Sequence, residues 1–256
     1  MRMGLLHLDL AAGPVEENHK KLEAGIKRAA ECGADWIITP EAAVEGYFYR
    51  MLHNDASLPV WTPLRLRDFQ MWAELLQVDV FLAGGERDPW DGKDYAALYW
   101  IGKHGELARL HRKMYSHQTG MEAWMSLGRL AGVEEIGGVR TGVLICSDAY
   151  YKHPADMMRL KGAEVVLVPA GWPPGACCPD PPKVWERCSE RTGAAVVVCN
   201  QTGKHPEMNM TEGKSAVVED GKVRFSYSGR PAVLLFDYDV KEKRVLSSQF
   251  IVKEAE

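Results

Sequence analysis

Residues 139–151 read VRTGVLICSDAYY. Val143-Leu144-Ile145 is an apolar run, Cys146 stands at its end, and Ser147, Asp148, Tyr150 and Tyr151 come directly after. A short Val/Leu/Ile run closed by polar residues reads as a strand buried on both faces that opens into a loop. The cysteine therefore stands where strand becomes loop. A buried cysteine taken alone is most often a small apolar wall residue. A thiol used for chemistry needs charged groups nearby that move its proton, so its role depends on what the rest of the chain brings to it.

The same strand-then-loop plan recurs on both sides. It is seen in ADWIITPEAAVEGY (34–47), VDVFLAGGERD (78–88), AEVVLVPAGWPPG (163–175) and AAVVVCNQTG (194–203). Helical periodicity lies between these segments. Residues 15–33 set Leu22, Ile26, Ala29 and Ala30 on one stripe and stop at Gly33, and residues 64–77, 154–162 and 182–192 read similarly. Two regions alternate instead. Residues 97–115 predict a hairpin turning near His104-Gly105, and residues 214–240 predict another turning at Asp220-Gly221. Strand–helix units and hairpins share one chain with no linker or repeat, so the expected architecture is α/β with a single domain over residues 1–256.

Composition narrows the function. The 256 residues are 46% hydrophobic and 26% charged, ordinary for a globular protein. A net charge of −4 offers no concentrated basic face for nucleic acid or an anionic membrane. No apolar stretch approaches the ~20 residues of a membrane span, and Met1–Leu10 lacks the apolar core of a secretion signal. The six cysteines, at 32, 146, 177, 178, 188 and 199, form no C-x-x-C pair, and reduced cytoplasmic thiols are expected. Zinc is not expected either, since Cys177, Cys178, Cys188 and Cys199 lack ligand spacing.

The candidate strands end at Glu41, Lys113, Cys146, near Trp172 and at Asn200. In α/β sheets the loops beyond the carboxyl ends of strands form the binding crevice. Glu, Lys and Cys together cover base, electrophile and nucleophile for acyl transfer. A carboxylate can accept the thiol proton and return it to a leaving amine, and an ammonium can hold the oxyanion with a backbone N–H after the nucleophile. A Cys–His arrangement is the rival, with His111, His117 and His153 near the key positions.

The ordered set TPEAAVEGY (39–47), HRKMY (111–115), GVLICSDAY (142–150), KGAEVVLVPAGWP (161–173), CNQTG (199–203) and GKSAVVEDG (213–221) resembles the nitrilase superfamily, the carbon–nitrogen hydrolases. The resemblance implies a four-layer α-β-β-α sandwich that pairs into homodimers through its helices. It implies Glu41 as general base, Lys113 as oxyanion-stabilising lysine, Cys146 as nucleophile and Glu122 as a second, positioning glutamate, with no cofactor and no metal. The activity it implies is hydrolysis of small amides, with nitriles or N-carbamoyl compounds as the alternative substrates and a catalytically silent binding protein of the same fold as the non-enzyme alternative. Tyr47, Ser147, Tyr150 and Trp172 are the candidate substrate-binding residues. Tyr49 and Trp124 are further aromatic residues near the expected mouth.

Two departures bear on specificity. Members acting on N-carbamoyl amino acids carry arginines three and four positions past the cysteine, where this chain has Ala149 and Tyr150, so the bidentate clamp for a carboxylate is missing there. Gly171 stands where the family often has Asn. A neutral or weakly polar substrate tail is the expectation, with Lys152 or Arg50 as the alternative cations for an anionic one.

Overall fold

The structure is a computed structural model that describes residues 1–52, 63–116, 120–174, 181–206 and 208–255. His117, Cys177, Cys178 and the side chain of Arg50 lie outside what it describes. In chain order the elements are β1 (Arg2–His7), α1 (Val15–Glu31), β2 (Trp36–Ile38), α2 (Tyr49–Leu52), α3 (Pro63–Leu76), β3 (Asp79–Arg87), β4 (Asp94–Ile101) and β5 (Leu107–Arg112). They continue with β6 (Val133–Ile136), β7 (Val139–Val143), α4 (Lys152–Leu160), β8 (Val165–Pro169), α5 (Pro181–Thr192) and β9 (Ala195–Cys199). The chain closes with β10 (Ser215–Glu219), β11 (Lys222–Tyr227), β12 (Ala232–Asp239), β13 (Arg244–Val245) and β14 (Ile251–Glu254).

These strands form two sheets. One runs β13-β12-β1-β2-β3-β4-β5 with β14 beside β12, and the other runs β11-β10-β9-β8-β7-β6. Each has three parallel strands at its centre, β1-β2-β3 in the first and β7-β8-β9 in the second. Period-two alternation builds the layers. Met3, Leu5, Trp36, Ile38, Phe81 and Leu234 point between the sheets. Their neighbours Leu6, Ile37, Val80, Leu82 and Val233 point outward, where Leu22 and Ile26 of α1 and Phe69 and Trp72 of α3 cover them. Each such buried side chain contributes roughly 1.5–3 kcal/mol, and a slip of one residue would turn the whole set to the wrong face. Ala155 and Met158 of α4 and Val184, Trp185 and Cys188 of α5 join the core from the far side of the second sheet. The result is the four-layer α-β-β-α sandwich. Among the described residues no helix is long and apolar enough to cross a membrane.

The hairpin expected over residues 97–115 is the antiparallel pair β4–β5. The one expected over residues 214–240 is only partly formed. β10 and β11 pair across Asp220 (φ 52°) and Gly221 (φ 69°), a turn that needs two left-handed residues. β12 then leaves that sheet and lies antiparallel to β1 in the other. Alternation alone could not reveal this change of partner, because β12 is apolar on both faces and β1 supplies the open edge.

Candidate active site

The carboxyl ends of the two parallel triads meet at one end of the sandwich. Backbone contacts tie them together. The Glu41 N–H donates to Ala170 O at 3.4 Å, and the Gln201 side-chain amide donates to Glu41 O at 2.5 Å. Asn200, the residue after β9, clamps Trp172, accepting its N–H at 2.8 Å and donating to its carbonyl at 2.9 Å.

Lys113 follows β5 and is completely buried. Its backbone is held on both sides, the N–H donating to Ala96 O and the carbonyl accepting from Gly128 N–H. Its ammonium donates to Glu41 Oε1 at 2.7 Å and to Glu122 Oε1 at 2.6 Å. A buried ammonium is tolerated only with such partners. Burial pushes its pKa down, and the attraction of the Glu41 and Glu122 carboxylates outweighs that and raises it, so Lys113 stays charged. Glu122 lies in a short 3₁₀ turn, Gly120–Glu122, and also accepts from the Tyr47 hydroxyl at 3.0 Å. Glu41 is held by a third group, the Gly171 N–H at 3.2 Å from its Oε2. Burial raises the pKa of Glu41 and Lys113 opposes it.

Cys146 opens a 3₁₀ turn, Cys146–Tyr150, with φ at 48°. That left-handed conformation costs a non-glycine residue on the order of 1 kcal/mol, so something must hold it. Asp148 does. Its carboxylate accepts the N–H groups of Ile145 (3.1 Å), Met114 (2.9 Å) and Tyr115 (2.8 Å) and contacts His111 Nε2 at 2.7 Å. The turn bearing the thiol is thereby tied to the strand end bearing Lys113. The Ser147 hydroxyl adds a bond to Tyr115 O at 2.7 Å. Burial raises the Cys146 thiol well above its ordinary value; Glu41 and Glu122 add to the rise, while Lys113 and the Gly171 N–H oppose it. The resting thiol is neutral.

Of the residues singled out in the sequence, Glu41, Lys113, Glu122 and Cys146 come together in this buried cluster, with Tyr47 bonded to it. Ser147 and Trp172 flank it, Trp172 lining a separate cavity of about 200 Å³ with Trp185 and Asn200. Tyr150 is not brought in. It is 56% exposed, packs edge-on against Tyr151 and lies under the Arg187 guanidinium, because the 3₁₀ turn carries it outward. Lys152 is paired with Asp156 on the surface of α4. Of the histidines in the rival reading, His111 is spent on Asp148, His153 is exposed on α4, and among the described residues the groups acting on the thiol are Glu41, Lys113 and Glu122. Asp148 and Gly171 are the residues the sequence reading did not assign. The signal for Asp148 was a charged residue inside an otherwise buried stretch. For Gly171 there was only its difference from the family's usual Asn.

A neutral thiol, a carboxylate to take its proton and an ammonium to receive a developing oxyanion are the parts of acyl transfer without metal or histidine. The chain belongs to the carbon–nitrogen hydrolase family, whose model matches residues 8–226. The curated relatives include the 2-oxoglutaramate amidase of Bacillus subtilis (strain 168), 26% identical over 242 residues that cover 93% of this chain and 90% of the relative. A glutamine-dependent NAD(+) synthetase of Xylella fastidiosa (strain Temecula1 / ATCC 700964) is 26% identical over 99% of this chain, which spans only 47% of that longer protein. Among solved structures, an amidase variant from Nesterenkonia sp. AN1 superposes with a TM-score of 0.83 at 19% identity, over 95% of this chain and 92% of that one. That structure shows the acetamide moiety of fluoroacetamide added covalently at the amidase's own active-site cysteine. At this identity the likeness speaks for the fold.

Proposed function

We propose that the protein hydrolyses small amides through an acyl-thioester on Cys146, releasing ammonia or an amine, and that residues 1–256 act as one catalytic domain. The carrying observation is the Lys113 ammonium bonded to both Glu41 and Glu122 in the cluster that acts on the Cys146 thiol. Cys146 attacks the carbonyl carbon while Glu41 takes the thiol proton. The two events belong together, because the buried thiol ionises only as its negative charge passes to the substrate oxygen. Lys113 and the Ser147 N–H receive that oxyanion, and Glu122, fixed by Tyr47, orients the amide. Glu41 then delivers its proton to the leaving nitrogen and activates the water that frees the acid.

A neutral tail follows from Ala149 and Tyr150, which supply no cation where the carbamoyl-specific members carry arginines. The ω-amide of the Bacillus relative is the second reading, favoured by its match over 93% of this chain. A cytoplasmic setting agrees with a mechanism that needs a reduced thiol. Pairing into homodimers agrees with the exposed Tyr150, Tyr151 and Leu160 around α4, and sedimentation tests it.

The deciding experiment measures ammonia from a panel of neutral amides, ω-amides of dicarboxylic acids, carbamoyl compounds and nitriles. Intact mass is followed in parallel. Wild type is expected to turn over small neutral amides and to carry an acyl adduct that Cys146→Ala lacks. Undiminished turnover by Cys146→Ala would end the reading, and strong preference for carbamoyl amino acids would overturn the neutral tail.

A further inference from the structure

Glu45 lies four residues beyond Glu41 on the same loop, and the mechanism above does not use it. It is only 2% exposed, and among the described residues neither carboxyl oxygen has a hydrogen-bond partner. The backbone N–H groups of Glu45 itself and Gly85 are the nearest groups favouring its charged form. An unpartnered buried carboxyl is costly. It lines a cavity of about 10 Å³, enough for one water-sized molecule. The other walls include Glu41, Tyr47, Tyr49, Met121 and Trp124, so the cavity adjoins the carboxylate proposed to hand a proton to the leaving nitrogen.

The wall carries the side chains of Glu41 and Glu45 and the aromatic residues Tyr47, Tyr49 and Trp124. The donors whose bonds are seen are already committed, the Tyr47 hydroxyl to Glu122 and the Gly46 N–H to Ala42 O. Water brings two lone pairs that would need donors. An ammonium ion brings donors only, carries the charge that carboxylates and aromatic faces attract, and is the size of water.

We infer that this cavity is a leaving-group site, which receives the nitrogen released from the substrate and holds it as ammonium, so that the enzyme is built for unsubstituted primary amides. The inference rests on the amidase reading above. When the C–N bond breaks, its electron pair goes to nitrogen, which takes the proton carried by Glu41 and leaves as ammonia. Burial pushes Glu45 up to about 8, so at neutral pH it is largely a neutral acid. Ammonia, the stronger base, takes the Glu45 proton and becomes ammonium beside a carboxylate. The captured nitrogen has lost its lone pair and cannot attack the thioester, so water completes the reaction. When the ammonium departs, solvent returns a proton to Glu45. An N-methyl amide would need room for a carbon that this cavity lacks.

The test uses ¹⁵N-ammonium chloride and NMR on wild type, Cys146→Ala, Glu45→Gln and Glu45→Leu, with thermal melting as the check of folding. Wild type and Cys146→Ala are expected to show an ammonium signal protected from exchange. Binding should weaken about tenfold or more in Glu45→Gln and vanish in Glu45→Leu. In kinetics, Glu45→Ala should shift the primary to N-methyl amide preference about tenfold toward the bulkier substrate, the size of one methyl group's discrimination. No bound ammonium in folded wild type, or equal binding in Glu45→Leu, overturns the inference and leaves water as the occupant. A bound ammonium signal in a protein that hydrolyses no amide upholds the site and ends the amidase reading. Ammonia release with unchanged selectivity in the Glu45 variants does the reverse.

Discussion

Cys146 and Cys199 stand at corresponding places in one sheet, after β7 and at the end of β9, and both are buried among Val, Ile and Leu. Burial raises both thiols. Their surroundings differ. The Cys199 sulfur donates to two backbone carbonyls, Ile38 O at 3.2 Å and Leu6 O at 3.6 Å, and so fastens β9 to β1 and β2 across the core. Cys146 stands in a left-handed turn and is acted on by Glu41, Lys113 and Glu122. The second sheet carries both sulfurs, but Glu41, Lys113 and Glu122 come from loops beyond the first sheet, and these act on Cys146. Residue type and burial are therefore a poor guide to a reactive thiol. What separates the two is whether an ion pair from the other sheet is within reach.

The comparison breaks most visibly at the two sulfurs. Cys146→Ala should lower amide turnover roughly 10⁴-fold or more, the scale of losing a nucleophile, while Cys199→Ala should keep near-normal turnover in the same ammonia assay. Equal losses in both would erase the distinction. Next is the ion pair. Lys113→Ala should lower turnover roughly 10²–10³-fold. It should also cost about 3–5 kcal/mol of stability in denaturant titration, because two buried carboxylates lose their cation.

Smaller effects sharpen the picture on the glutamate side. Glu45 has a folded pKa near 8 against 4.5 for the free group, so the folded state keeps a proton that the unfolded chain releases. Stability from this group is present below about pH 4.5 and is lost as pH rises toward about 8. The difference in melting temperature between Glu45→Gln and wild type should therefore grow in favour of the variant across that window. A constant difference would show that Glu45 is already ionised in the fold. A Cβ at Gly171 would lie 2.9 Å from the Tyr47 ring. Gly171→Ala should cost about 1–3 kcal/mol and displace Tyr47 from Glu122, lowering kcat. Recovery of the lost stability, without recovery of kcat, on pairing it with Tyr47→Ala would identify the ring contact as the cause. The smallest effect belongs to Cys199→Ala, about 1–2 kcal/mol in a melting experiment.

Much of this was legible beforehand because it follows local rules. The stripe Leu22, Ile26 and Ala29 became the buried face of α1, and Asp220-Gly221 became the β10–β11 turn. The segments starting at Val78, Val139, Ala163 and Ala194 each held a strand; Lys113 directly follows β5, while Glu41 and Cys146 stand three residues past the ends of β2 and β7. Other features escaped. Residues 2–7, RMGLLH, form β1, one of three parallel strands, yet Arg2, Gly4 and His7 interrupt the apolar pattern. β12 was read with the wrong partner, since pairing between distant strands leaves no local mark. Tyr150 was expected at the mouth from its distance to Cys146, and the turn conformation sent it outward.

What the sequence determined by itself is the set of elements and the chemical inventory: apolar periodicity specifies which segments are strands and helices, and the spacing of residues from strand ends specifies which side chains stand at the crevice. What only the tertiary structure decided is who meets whom. Asp148 joins the thiol turn to the Lys113 strand end, Lys113 lies between two carboxylates, and Glu45 is left buried with no hydrogen-bond partner for its carboxyl among the described residues. Contacts at the site join residues as much as 160 positions apart, as for Gln201 with Glu41. Lys113, Glu41 and Glu122 meet in loops beyond the first sheet, and packing the second sheet face to face against it brings the thiol to them.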